Sequence, residues 1–205
     1  GDAVGYGPEP NECLDLLRNQ AAVMVMGNHD SMVAGKSNIM RAGVYAREVI
    51  GWTRDVISID NLQFLQKLPL VKYEEDFHIV HATPREPGEW NYIRTRLEAA
   101  RNFRYFNTAI CLTGHSHEPQ IIELTAKGAV AYSYRKAVIK PDSRFIVNAG
   151  SVGQPRDGIP EASYIVIKNG LIEIKRVAYD ILVTQKKMQE AGLPSYLISR
   201  LSTGK

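Results

Sequence analysis

Apolar residues in this chain gather into short runs, several of which end abruptly on polar clusters. The runs at 23–26, 77–80 and 110–113 are almost unbroken, the pattern of strands buried on both faces. Between them the spacing turns helical. Residues 10–19 read as a helix, with Pro10 in its first turn and Leu14, Leu16 and Leu17 on its apolar side. A strand at 22–26 follows. Residues 31–68 read as mostly helical through Val44, Ile50, Ile57, Ile59, Leu62 and Leu65, until Pro69 stops them. Strands at 71–75 and 77–81 flank the acidic turn Glu74-Glu75-Asp76, and further strands are predicted at 110–113, 120–125, 130–134 and 145–148. Asn169-Gly170 marks a hairpin between 163–167 and 171–177, and two short helices close the chain at 181–191 and 195–201. Alternating strands and helices followed by antiparallel strands predict an α/β fold with two stacked sheets and helices outside. At 205 residues and 44% hydrophobic content, one domain over 1–205 is the expectation.

The polar clusters carry the chemistry. They are Gly1-Asp2-Ala3-Val4-Gly5, Gly27-Asn28-His29-Asp30, Val80-His81-Ala82 and Gly114-His115-Ser116-His117. Ligand-type side chains delivered from several strand ends to one rim are a common α/β active-site layout. Carboxylate and amide oxygens beside imidazoles suit Mn²⁺, Fe or Zn²⁺ better than Mg²⁺ or Ca²⁺ alone, and without thiolates a catalytic metal pair leads over a structural zinc site. Each residue also has a plainer reading: Asp2 as a turn or N-cap residue, Asn28-His29 as a helix cap, His81 as a satisfied interior histidine. His78, in the strand before His81, reads as structural.

These four motifs in this order resemble those of the calcineurin-like metallophosphoesterases, above all the small bacterial and archaeal phosphodiesterase branch. Two longer stretches agree, Gly5-Tyr6-Gly7-Pro8-Glu9-Pro10-Asn11-Glu12-Cys13 and Asn148-Ala149-Gly150-Ser151-Val152-Gly153-Gln154-Pro155-Arg156. The resemblance implies a four-layer αββα sandwich of two mixed sheets. It also implies two divalent ions, with manganese first and Fe, Zn, Ni or Mg as alternatives. Asp2 would bridge the ions, Asn28, His81 and His115 would complete the second shell, and His117 would serve the first. His29 would face substrate and assist the leaving group, oriented by Asp30, while a hydroxide held between the ions attacks phosphorus. Relatives open with an Asp-x-His motif on a first strand. Here that strand is missing, so the expectation is an N-terminally incomplete chain that holds at most one ion tightly and hydrolyses poorly.

Residues 84–106 hold Arg85, Arg94, Arg96, Arg101 and Arg104 among Trp90, Tyr92, Tyr105 and Phe106. Arginine forks and aromatic faces suit a substrate-selecting rim, with Arg85 and Arg94 the first candidates. The alternatives are a solvated helix with Leu97 as its apolar contact, or an oligomer contact. Gln154 and Arg156 lie in a glycine-rich turn and could reach a phosphate, or the turn is structural. The absence of the GDxVDRG arginine of the superfamily's protein phosphatases favours phosphodiesters. Protein or dinucleotide-polyphosphate phosphatase activity, or a non-catalytic scaffold role, are the alternatives, and the retained His29, Asn28, His81, His115 and His117 argue against a scaffold. A net charge of +3 does not by itself imply nucleic-acid binding, so nucleic acid enters only as a substrate. No apolar run approaches the roughly 20 residues of a membrane span. Cys13 and Cys111 match no metal spacing and are expected as buried free thiols; the combination suits a cytoplasmic enzyme, with a homo-oligomer left open.

Overall fold

The computed structural model describes residues 1–125, 128 and 130–205. Its larger sheet has six strands in the order β1-β2-β3-β7-β4-β5: β1 (Val71–Glu74), β2 (Phe77–Val80), β3 (Ile110–Thr113), β4 (Gln120–Leu124), β5 (Val130–Ser133) and β7 (Arg144–Asn148). The middle strands β2, β3 and β7 run parallel, while β1, β4 and β5 are antiparallel to their neighbours. The sheet is therefore mixed. A second sheet, β6 (Lys136–Val138), β9 (Leu171–Val177) and β8 (Ala162–Lys168), is antiparallel throughout. The Asn169-Gly170 turn behaves as its sequence predicts, with φ of 52° and 72° matching a primed two-residue hairpin.

Side-chain alternation decides what each face of the larger sheet meets. Ile110, Ile121, Phe145 and Val147 pack with Ile172 of the smaller sheet, so the two sheets share one core. Cys111, Ile122 and Ile146 point the other way, against Ala99 and Phe103 of the segment formed by helix α5 (Arg96–Asn102) and the 3-10 turn after it. The helices α2 (Asn28–Val33), α3 (Val44–Val56) and α4 (Ile59–Lys67) build a separate core with α1 (Pro10–Gln20), centred on Leu14, Ile50 and Leu65. Helices α6 (Ile181–Glu190) and α7 (Ser195–Arg200) bury Met188 and Leu197 against Val49 of α3.

Several expectations need correction. Among the described residues, 22–26 join no ladder; the Met26 N–H donates to Pro69 O at 2.8 Å, and Met26 packs into the core around Leu14. Leu16, Val44 and Ile59 are exposed, because Leu14, Ile50 and Leu65 already supply the buried side of their helices. Leu97 faces solvent as well, and Ala99 makes the apolar contact in its place. Cys111 is a buried free thiol, but Cys13 is exposed. Strand β6 was not foreseen, since three residues carry too little periodicity.

His78 sits in β2 at 1% exposure, edge-on to Tyr73 at 4.8 Å, with both ring nitrogens unpartnered. Burial lowers its pKa below the usual 6.5. Below that pH the unfolded chain binds a proton that the folded chain refuses, so this group costs stability as pH falls, levelling off once its folded value is passed. His78→Leu should therefore flatten the stability profile on the acid side. Urea unfolding at neutral pH and near about pH 5 checks this; an unchanged difference between the two would show that His78 does not titrate with folding.

Candidate metal centre

The parallel strands β2, β3 and β7 all end at the same rim, and the polar motifs stand just beyond those ends. The rim is tied together by backbone bonds from Gly114 N to His81 O and from Ala149 N to Thr113 O. Asn148 adds its side-chain amide to Gly114 O and Ser116 Oγ, fixing the turn that carries His115 and His117. Both of those histidines adopt left-handed backbone, at φ of 65° and 61°, and Asp2 does so at 54°. Non-glycine residues hold such conformations only where their surroundings over-determine them, a condition met mostly at functional sites.

Asp2, His81 and His115 each offer a ligand atom within 4.8 Å of the others. His81 Nε2 lies 3.1 Å from Asp2 Oδ2 and makes no directed hydrogen bond. Asn28 Oδ1 is buried and has no partner either. His117 lines the same cavity but falls outside the Asp2–His81–His115 group. Two of the imidazoles have one nitrogen already committed. His115 Nε2–H can donate to Trp90 O at 2.9 Å, and His117 Nδ1–H to Gln154 O at 2.6 Å, which leaves Nδ1 of the first and Nε2 of the second as lone-pair donors. Burial and the neighbouring His81 lower the His115 pKa to about 4; burial and Arg156 lower that of His117 to about 3. Both rings are neutral at physiological pH, the form a metal requires. Burial alone would raise the Asp2 carboxyl, but His81 and His29 outweigh it and hold it well below the carboxylate range. The Asp2–His81–His115 cluster, with the unpartnered Asn28 Oδ1 lining the adjoining cavity, fits a divalent ion of the borderline class.

Two glycines make room for this arrangement. A Cβ on Gly27 would lie 2.0 Å from Asp2 Oδ1, and one on Gly5 (φ +107°) 2.3 Å from His29 Nδ1. The motifs pack too closely for any side chain there.

Asp30 departs from expectation. It is fully buried, yet its carboxylate does not pair with the His29 ring, whose Nδ1 is unpartnered. Its oxygens accept instead from the backbone N–H groups of Asp2 (2.7 Å), Ala3 (2.9 Å), Val4 (3.4 Å) and Gly27 (2.9 Å). Burial and the adjacent Asp2 raise its pKa against the pull of those amides. The residue anchors the loop that presents Asp2. His29 donates its backbone N–H to Asp2 Oδ1 at 2.8 Å, and its ring lies 4.4 Å from that of Tyr6.

A cavity of about 310 Å³ opens beside these groups, lined by Asp2, Asn28, His29, His115 and His117, and further out by Tyr6, Asn38, Arg41, Glu89, Trp90, Tyr92 and Arg156. Of the four anticipated substrate residues, only Arg156 lines it. Its guanidinium bonds Gln154 Oε1 and reaches Tyr6 Oη at 3.2 Å, so Gln154 positions the arginine. Arg85 pairs with Glu86, and Arg94 lies over the outer ring face of Tyr92, which is itself stacked on His115 at 4.3 Å. Arg94, Arg96, Arg101 and Arg104 are exposed. Tyr6 falls within a stretch that carries the resemblance, but Asn38, Arg41 and Glu89 carry no sequence signal, since they reach the cavity from three-residue 3-10 turns and their edges.

The profile of the calcineurin-like phosphoesterase superfamily domain matches residues 1–169. The chain belongs to that superfamily. It is 38% identical over 212 aligned residues to an uncharacterized protein of Methanocaldococcus jannaschii, covering 100% of this chain and 85% of the relative. The crystal structure of a metallophosphoesterase from Sphaerobacter thermophilus superposes with a TM-score of 0.88 at 38% identity, covering 100% of this chain and 86% of that one. A hypothetical protein of Pyrococcus horikoshii shares the fold at a TM-score of 0.79 and 17% identity, over 100% of this chain and 83% of its own. Membership supports metal-dependent hydrolysis of phosphate esters. Among the described residues, no helix is long and apolar enough to cross a membrane.

Proposed function

We propose that the chain is a dinuclear, metal-dependent phosphodiesterase, with manganese as its first-choice ion. The observation that carries this reading is the cluster of Asp2, His81 and His115, with Asn28 and His117 lining the same cavity as Asp2 and His115, and with Asn28 Oδ1 and His81 Nε2 buried without a hydrogen-bond partner. Asp2 and His81, with His115 and Asn28, would hold one ion, and His117 with Asp2 would contribute to a second. Bound divalent ions supply Lewis acidity and an activated water. The chain's own residues do the rest. His29, buried beside the ligands and lining the cavity, donates a proton to the departing alkoxide or stabilises its charge. Arg156, braced by Gln154 and Tyr6, presents guanidinium N–H groups to a phosphoryl oxygen. Tyr6 stands in the motif where the superfamily's protein phosphatases carry an arginine, which favours diesters over phosphoprotein.

Turnover of bis-aryl and mono-aryl phosphates across Mn²⁺, Zn²⁺ and Mg²⁺ tests the reading. Metal-dependent hydrolysis with the diester preferred is expected. Monoester preference would replace the diesterase assignment, and no hydrolysis with any ion would remove the enzymatic one.

A further inference from the structure

The outer wall of the cavity holds an ion pair that the catalytic reading leaves unused. Arg41 Nη2 donates to Glu89 Oε2 at 3.2 Å, joining the segment between α2 and α3 to the 3-10 turn Pro87–Glu89. Both side chains are more than half exposed, at 63% and 57%, and the contact uses a single guanidinium nitrogen. Exposed one-point pairs of this kind contribute little and exchange readily. Arg156 differs, being held in place by Gln154 and Tyr6 next to His117. The cavity thus has one fixed cation beside the metal ligands and a second whose carboxylate partner is loosely held. The turn that delivers Glu89 is flanked by two residues in left-handed conformation, Glu86 at φ 51° and Trp90 at φ 57°.

We propose that Arg41 is a specificity-determining residue, which binds a second anionic group of a phosphoester substrate after that group displaces Glu89. The inference rests on the phosphoesterase reading of the cavity and deepens it to a substrate class: esters carrying a second phosphate or comparable anion remote from the scissile one. A phosphate can engage the guanidinium fork bidentately, where Glu89 uses one nitrogen. In the resting state Glu89 lends the wall negative charge, which disfavours anions that cannot reach Arg41.

Calorimetric binding to the full chain with Mn²⁺ tests this without turnover, using mono- and bisphosphates of propanediol, hexanediol and nonanediol. At one chain length the bisphosphate should bind at least about 10-fold tighter than its monophosphate, the usual size of one charge-assisted contact. R41A should abolish that difference, R41K should restore part of it as a point charge, and E89Q should widen it by roughly 3-fold. Equal binding of mono- and bisphosphates at every length overturns the proposal. So does an equal loss for both ligands in R41A, weaker bisphosphate binding in E89Q, or a fall in thermal stability of either variant that accounts for the change. Aryl phosphate hydrolysis by the same preparations judges the phosphoesterase reading separately. A chain that hydrolyses them but binds both ligand classes equally loses this inference alone; one that discriminates without hydrolysing loses only the other.

Discussion

His29→Ala should lower phosphodiester turnover by roughly 10² to 10⁴ while leaving bound metal unchanged, the usual size of a lost general acid. Two separate features of this residue make the outcome specific. Its backbone N–H, donated to Asp2 Oδ1, survives the substitution, so Asp2 keeps its support. Its ring, by contrast, rests on Tyr6 at the cavity wall and belongs to no ligand group among the described residues. Removing the ring removes a proton donor without touching the ligands. The deficit should shrink for substrates with activated aryl leaving groups, which depart without protonation. Metal content and turnover measured side by side decide the matter: loss of metal in the mutant would make His29 a ligand instead.

How much of this could be read from the chain alone depended on how local each signal is. The buried strands β2, β3 and β7 declare themselves through continuous apolar runs, and the hairpin through Asn169-Gly170. The segment at 22–26 carries an equally strong apolar run yet forms no ladder, because strand pairing is a property of a neighbour and not of the segment itself. His81 and His115 stand just after β2 and β3, so strands that the sequence declares also place these two residues. The basic stretch at 94–104, which the sequence leaves open between a substrate rim and a solvated helix, is less local. Its charges are plain in the sequence, but helix α5 turns them to solvent while Ala99 and Asn102 face inward. The cations lining the cavity, Arg41 in a three-residue 3-10 turn and Arg156 in an irregular segment, sit where spacing predicts no direction. Arg41 meets Glu89 across 48 positions, and no periodicity encodes that contact.

Asp30 gives the second large effect, and it turns on the same limit. Its neighbour in sequence is His29, but the groups it binds are 26 to 28 positions away, the amides of Asp2, Ala3 and Val4, with Gly27 beside it. Asp30→Ala leaves those amides without their buried acceptor. A buried donor left without an acceptor costs about 1–3 kcal/mol, and partial relaxation of the loop keeps the sum sub-additive. A total loss of about 3–5 kcal/mol is expected, or roughly 6–20 °C in Tm for a chain of this size. Metal affinity should fall with it, since the same loop carries Asp2. Asp30→Asn sharpens the test because it preserves shape. Its amide NH₂ would face two of the N–H donors that the second carboxylate oxygen now serves, so it too should lose stability and metal affinity, by less than the alanine variant. If Asp30 acted instead through the His29 ring, Asp30→Asn would shift the pH profile of turnover and leave Tm and metal titration unchanged. Thermal unfolding and Mn²⁺ titration of the two variants separate an anchor of the Asp2 loop from a partner of the catalytic imidazole.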